Sequence, residues 1–404
     1  MKTLYLHIGT PKTATSSIQK FLDENKETLE KHGYCFPESV YRYRKVNIRR
    51  NGHFLVNKIV KEDGKRDKEQ EKICSEKGFD QIADCFHKFD NVIISDEAIW
   101  HSSSYFRKNT FSKLKRNADE NGYQIKVIVY LRRQDQFLLS RWNQSVKQNF
   151  SYAAKLTCDE YVLKVQKKER KIFEYASKLD EIADYIGKEN IIVRRFQPDS
   201  WKDRSIIHDF MYEIGLDVTD EFIELEKEAS LQLNNITTEI KRIINQNQRF
   251  TDNEISYLGK LLREISENNP EKKPTSMLSK EETQKILSEY EQENLRVAEE
   301  YCRDGKPLFS NEISDAAKWS PQNEEMYIDM IRFFSSAIVQ LHRENLQQDE
   351  EIKYLKSELK RLEKRENSIE NKIQKIDQTS KTFREKVRHP LRTIWNRLIR
   401  LLKG

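Results

Sequence analysis

The densest run of side chains able to hold an anion lies near the amino terminus, in Gly9-Thr10-Pro11-Lys12-Thr13-Ala14-Thr15-Ser16-Ser17. One lysine offers a point charge and the hydroxyls around it offer hydrogen-bond donors. The residues before it, Thr3 to Ile8, alternate as a strand does. Those after it, Ser16-Ser17-Ile18-Gln19-Lys20-Phe21-Leu22, repeat their apolar positions at helical spacing. A loop between a strand and a helix turns backbone N–H groups and the helix dipole toward one point, so the string predicts a phosphate cradle. It departs from the ordinary nucleotide loop G-x-x-x-x-G-K-[ST], because Gly9 stands only three positions before Lys12. A cradle this short should grip fewer phosphates than an ATP loop does.

Charge and cysteine usage narrow the chemistry further. The chain of 404 residues carries 72 Lys and Arg against 66 Asp and Glu, a net +6, with a mean hydropathy of −0.85. Residues 381–404 hold eight of the basic residues and one Glu, a local +7, so the first 380 stand at 64 − 65 = −1. The excess positive charge describes a tail and argues against a nucleic-acid-binding body. Five cysteines without C-x-x-C spacing (Cys35, Cys74, Cys85, Cys158, Cys302) indicate neither a disulfide framework nor a zinc site, and no metal is called for. A reducing cytoplasm is the expected location. The sequence contains no apolar run of spanning length, and its N-terminus lacks a signal-peptide pattern.

Elements must exist to position the loop. Besides Thr3 to Ile8, short apolar runs at Asn91–Ser95, Gln124–Leu131 and Asn190–Val193 have the look of buried strands. Between them lie helix-favouring stretches at 66–88, 104–121, 134–149 and 157–186, long enough for parallel crossovers. The expected class is α/β: a P-loop-type parallel sheet flanked by helices, followed by a helical region with helices at 203–214, 235–248, 252–267 and 280–303. The expected division is a domain over 1–315, a connecting segment over 316–337, a coiled coil over 338–380 and a basic amphipathic tail over 381–404.

The coiled-coil expectation rests on a heptad. Ile338, Ile352, Leu359 and Ile373 occupy one seam position, and Leu341, Leu355, Leu362, Ile369 and Ile376 the other, interrupted by Asn345, Gln348 and Glu366. So narrow a stripe amid Lys and Glu predicts a homo-oligomer, the alternative being a lone helix lying on the domain. After Pro390 a last helical segment sets Leu391, Ile394, Trp395, Leu398 and Leu402 on one face and most of its arginines elsewhere. A basic amphipathic helix of this kind suits the headgroup region of an anionic membrane, here the inner face of the plasma membrane; the alternative is a solvated or self-docked tail.

With the loop and strands in place, the sequence resembles the sulfotransferases that use 3′-phosphoadenosine 5′-phosphosulfate, the bacterial carbohydrate-type members in particular, over about residues 1–315. The resemblance assigns binding of the 5′-phosphosulfate to Lys12, Thr13, Ala14, Thr15 and Ser16, with Lys12 also neutralising charge on the leaving phosphate. Ala14 stands where the family usually has glycine, a mild departure provided the backbone there has negative φ. The family's second element, a strand-end arginine followed eight residues later by a helical serine, falls on Arg132 and Ser140, which would hold the 3′-phosphate. Arg133 could share or replace Arg132. The family uses a His or Glu as base near the sulfate, and two residues fit: Glu97, just past a strand end, and His53, in Asn51-Gly52-His53. An N-capping role competes for Asp96 and Glu97, a surface role for His53, and a core role for His7.

The expected activity is transfer of a sulfuryl group to a carbohydrate hydroxyl of a capsule, exopolysaccharide or lipid-linked glycan. A P-loop kinase using ATP and Mg2+ is one alternative. An oligomeric nucleotide-binding scaffold at a membrane is another.

Overall fold

A computed structural model describes residues 1–401 except 45, 57, 150, 226–232, 269–274 and 323. The chain divides into two units, Met1–Asp329 and Met330–Gly404. Elements run in the order β1 (Thr3–His7), α1 (Thr15–Glu24), α2 (Lys26–Lys31), β2 (Tyr34–Cys35), α3 (Lys68–Lys88), β3 (Asn91–Ser95), α4 (Ala98–His101), α5 (Ser104–Asn121) and β4 (Gln124–Leu131). They continue with α6 (Gln134–Gln148), α7 (Cys158–Glu169), α8 (Tyr175–Ile186), β5 (Ile191–Arg195), α9 (Ile206–Glu213), α10 (Asn235–Gln246), α11 (Asp252–Asn268), α12 (Lys280–Glu289), α13 (Glu291–Val297) and α14 (Glu324–Leu401).

The five strands are parallel in the order β2-β3-β1-β4-β5. Period-two alternation explains why both faces are covered. Leu4, Leu6, Val92, Ile94, Val127, Val129 and Leu131 join one core with Phe111, Leu114, Leu179 and Ile182 from α5 and α8. Tyr5, Ile93, Ile128 and Tyr130 point the other way, into a core with Ile18, Phe21 and Leu22 from α1 and Phe210 and Met211 from α9. Each apolar side chain buried this way contributes about 1.5–3 kcal/mol. With β1 in the middle, the loop that follows it is flanked by the carboxyl ends of β3 and β4, where ligands of open parallel sheets bind.

A third core joins Phe137, Leu138, Trp142 and Val146 of α6 to Tyr161 and Val165 of α7 and Ile286 of α12. The stretch expected as one helix over 157–186 breaks at a 3-10 turn, Arg170–Ile172, between α7 and α8. The stretch over 280–303 resolves into α12, α13 and a π-turn, Ala298–Cys302. Two-residue strand β2 gave no sequence signal.

The boundary between units falls inside α14, within the segment expected to be a connector. In the second unit that helix continues through Pro390 without a break. Proline there removes one backbone bond, and a long helix keeps its neighbouring turns. The heptad residues are solvent-exposed in the single chain: Leu355, Leu359 and Leu362 each retain 57–58% of their surface. Among the described residues no helix is long and apolar enough to cross a membrane.

Candidate anion-binding and acid–base site

The loop after β1 is stitched to β4 before it reaches its lysine. Ile8 N–H donates to the Ile128 carbonyl at 3.1 Å, Tyr130 N–H to the Gly9 carbonyl at 2.6 Å, and both the N–H and hydroxyl of Thr10 to the Tyr130 carbonyl at 2.9 and 3.1 Å. Gly9 has φ +97°, and a Cβ there would stand 2.9 Å from Glu97 Cβ, so glycine lets the loop lie directly against that carboxylate-bearing residue. Thr13 donates its hydroxyl to the Thr10 carbonyl and is fully buried, which makes it a strut of the loop. Ser16 and Ser17 are exposed on the first turn of α1, and Thr15 is buried.

Ala14 caps α1 at φ +57°, ψ +25°, and no side chain caps that helix. The condition of a negative φ, on which the departure from glycine would be mild, is therefore not met. The backbone keeps the left-handed conformation that suits glycine, and the alanine methyl adds about 1–2 kcal/mol of strain. Lys12, also left-handed at φ +70°, precedes it. Ser17 N–H donates to the Ala14 carbonyl at 3.0 Å, but no side-chain oxygen caps the start of α1, the condition in which a helix start receives an anion.

Two cations meet at this start. Lys12 Nζ donates to Gln144 Oε1 of α6 at 3.1 Å, and Arg132 Nη1 donates to the Lys12 carbonyl at 3.1 Å. Arg132 lies 5.4 Å from the Phe196 ring centroid, and its buried Nε has no hydrogen-bond partner among the described residues. Burial, and then the charge of Arg132, pulls the Lys12 pKa down; burial also lowers that of Arg132. Both shifts reflect positive charge withdrawn from water, offset in part at Arg132 by Tyr175 and Asp135. Ser140 is half-buried on α6, one turn before Gln144 and so on the same face. Arg133 is committed elsewhere: it forms a two-pronged pair with Asp135 at 2.9 Å and donates to the carbonyls of Ser310 and Glu312.

On the opposite side of the loop, the end of β3 carries a carboxylate network. Asn51 bridges to the strand, donating to the Ile93 carbonyl at 3.1 Å and accepting from Ser95 N–H at 2.8 Å. That brings Arg50 and His53 to Asp96 and Glu97. His53 Nδ1 lies 2.8 Å from Asp96 Oδ2, Arg50 Nη2 2.5 Å from Asp96 Oδ1, and Arg50 Nη1 3.3 Å from Glu97 Oε1. Asp96 also accepts from Ala98 N–H at 2.6 Å while holding two other partners; the N-cap position of the short helix α4 is Glu97, whose side chain makes no capping bond. Burial opposes ionisation of Asp96, but His53 and Arg50 outweigh it and keep its pKa below the ordinary value.

Glu97 differs. Burial raises its pKa, Arg50 opposes the rise, Asp96 adds to it, and Gln19 donates to Oε2 at 3.3 Å. The outcome is a carboxylate more basic than usual, as proton acceptors need. His7 packs beneath: its Nδ1 meets Ser95 Oγ at 2.9 Å, its buried Nε2 has no partner among the described residues, and burial pushes its pKa down to about 3.

Sequence reasoning passed over Arg50, Gln19 and Gln144. The Asn51-Gly52 turn beside Arg50 was a local signal for the first; the other two are ordinary helix residues whose role exists only through packing. Among the described residues no cluster of His, Cys, Asp and Glu is arranged to hold a metal.

No protein-family model matches the chain. It is 27% identical over 176 residues to an uncharacterized protein of Archaeoglobus fulgidus, covering 44% of this chain and 45% of that one. The chain thus spans about half the length of this curated relative. It also bears a likeness, at 16% identity and a TM-score of 0.34, to the crystal structure of a sulfotransferase from Alicyclobacillus acidocaldarius, over 56% of this chain and 87% of that one. So distant a likeness assigns nothing to this chain.

Proposed function

We propose that the first unit is a sulfotransferase that moves a sulfuryl group from 3′-phosphoadenosine 5′-phosphosulfate to a carbohydrate hydroxyl. The observation that carries the reading is the juxtaposition of Lys12 and Arg132, two partly buried cations whose hydrogen bonds among the described residues go to the Gln144 amide and the Lys12 carbonyl, at a helix start with no side-chain cap. Such an arrangement suits a ligand with two separate anionic groups, as this donor has, better than it suits a solvated surface.

When bound, the donor supplies the sulfuryl group and leaves as 3′-phosphoadenosine 5′-phosphate. Lys12 and the first N–H groups of α1 hold oxyanion charge at the 5′ end. Arg132, with free N–H positions on its fork, receives the ribose phosphate, and Ser140 adds a hydroxyl. Glu97 takes the proton from the acceptor hydroxyl. It lies against the loop at Gly9, is oriented by Arg50 and Gln19, and is more basic than an ordinary carboxylate. His53, fixed through Nδ1 by Asp96, is the alternative base and in this reading positions Arg50 and the acceptor.

The exposed heptad of α14 faces a second copy of the chain, and the basic amphipathic end of that helix lies on an anionic membrane, bringing the enzyme to lipid-linked glycan at high local concentration. The test of the enzymatic reading is calorimetric titration with 3′-phosphoadenosine 5′-phosphate against ATP. Tight binding of the first and none of the second is expected; preference for ATP with Mg2+ would replace the reading with a kinase.

A further inference from the structure

All five cysteines are free thiols, and two of them meet. Cys35, the second residue of β2, stands in register with Val92 of β3 and is 7% exposed. Cys85 sits in the last turn of α3, where Ile82 and Phe86 join the same core as Cys35 and carry Cys85 up to it. Cys35 Sγ–H donates to Cys85 Sγ at 3.1 Å, across 50 positions of sequence. A disulfide bond is about 2.05 Å long, so a sulfur movement of about 1 Å would close it.

Cysteine packs well as a small apolar side chain, and that role suffices for Cys158, buried in the core with Trp142 and Tyr161. The pair differs from it. Its contact is polarised: the bond to Cys85, and then burial, push the Cys35 thiol up, whereas the same bond pulls Cys85 below the ordinary thiol value, helped by Lys88 and opposed by burial, Asp84 and Glu30. Burial raises both Cys158 and Cys302. Cys85 is also the partly exposed member of the pair. An accessible sulfur with thiolate character, backed by a second sulfur at contact distance, is the arrangement of a redox-sensing pair, the kind of disulfide a reducing compartment permits. Its position gives it a consequence. Cys35 and Cys85 bracket residues 36–84, which carry Arg50 and His53, and two positions after Cys35 the Pro37 carbonyl accepts from Asn51 Nδ2 at 2.9 Å. Asn51 is the residue that ties this segment to β3.

We propose that Cys35 and Cys85 are a reversible dithiol–disulfide pair oxidised by a hydroperoxide, and that the disulfide braces the segment bearing Arg50 and His53. The Cys85 thiolate attacks the peroxide: an S–O bond forms, the O–O bond breaks, and the departing alkoxide or hydroxide takes up the proton that Cys85 gave to solvent. Cys85 is left as a sulfenic acid. The Cys35 sulfur then attacks the Cys85 sulfur, the S–S bond forms, the S–O bond breaks, and the expelled hydroxide leaves as water with the Cys35 proton. Two thiols and one hydroperoxide thus give one disulfide, one water and the alcohol or second water, with two electrons passing from sulfur to oxygen. A dithiol reductant reverses the bond by exchange and is itself oxidised to a disulfide. None of these steps depends on the sulfotransferase reading.

The experiment treats the reduced full chain with a molar excess of hydrogen peroxide. Thiols titrated in denaturant should fall from five to three, and non-reducing peptide mapping should join the Cys35 and Cys85 peptides within one chain. Dithiothreitol should restore all five. The oxidised chain should melt about 5 °C or more above the reduced one, as closure of so long a ring predicts. Cys35→Ser should leave Cys85 as a sulfenic acid that dimedone traps, and Cys85→Ser should leave Cys35 unlabelled. Retention of all the thiols, a link to Cys74, Cys158 or Cys302 or between chains, or over-oxidation of Cys85 without a link overturns the proposal. So does an unchanged or lower melting temperature, or dimedone labelling of Cys35 in Cys85→Ser. Mapping and melting use the unaltered chain, so they decide the matter even where a variant fails to fold.

Discussion

Replacing Arg132 by alanine separates the proposed roles of the two cations. In the folded chain its Nη1 bonds the Lys12 carbonyl and its plane lies near Phe196, while Nε has no partner among the described residues. Loss of the carbonyl bond and the ring contact costs the fold about 1–3 kcal/mol, offset in part by release of a buried charge. A phosphate on the fork is worth about 3 kcal/mol on truncation, or roughly a hundredfold in affinity. Calorimetry with 3′-phosphoadenosine 5′-phosphate and with adenosine 5′-phosphate, which lacks the ribose phosphate, should therefore show the variant losing about a hundredfold for the first and only a few-fold for the second. Arg132→Lys, which keeps charge but not the fork, should fall between. Equal loss for both nucleotides would refute the assignment and make Arg132 a brace for the Lys12 loop.

Ala14→Gly should raise unfolding free energy by about 1 kcal/mol in denaturant melts, because glycine relieves the φ of +57° at more than its entropic cost; an unchanged or lower stability would contradict the left-handed cap. Glu97→Gln should lower turnover by about 10²–10⁴ and His53→Asn by less, with the reverse order making His53 the base. Because the Glu97 pKa is raised and that of Lys12 lowered, the rate should rise with pH above the usual carboxylate range and fall again below the usual lysine range. For His7, 1% exposed, the unfolded chain takes a proton below its ordinary 6.5 whereas the folded chain does so only near 3. Stability should thus fall on acidification, approaching about 1.4 kcal/mol per pH unit below 6 and totalling about 1.7 kcal/mol between 6.5 and 5, and His7→Gln should flatten that slope in melts at several pH values. Removing 338–380 should reduce the mass seen by light scattering, and removing 381–404 should abolish sedimentation with anionic liposomes; an unaltered result in either sets aside the corresponding role of the α14 helix.

Local periodicity made the sheet legible. Strands β1, β3, β4 and β5 are continuous apolar runs because both their faces are buried, and such runs announce themselves without reference to the rest of the chain. The helix breaks at Arg170–Ile172 and Ala298–Cys302 were not legible, since helix-favouring residues continue across them and the interruption comes from packing. Residue types near the loop were readable for the same reason as the strands: Lys12, Thr13, Thr15 and Ser16 are contiguous. The left-handed backbone at Ala14 was not, because alanine carries no sign of a conformation it disfavours.

By itself, then, the sequence determined an α/β sheet with a lysine-bearing loop after its first strand, an arginine at the end of a later one, and a heptad helix, all encoded within short windows. Tertiary structure decided which cations stand together. Lys12 and Arg132 lie 120 positions apart, and Arg50, His53, Asp96 and Glu97 come from two segments joined through Asn51. Only packing brings Lys147, Lys241 and Arg263 around one cavity. Electrostatic energy depends on distance and burial in space, which no local pattern of residues records.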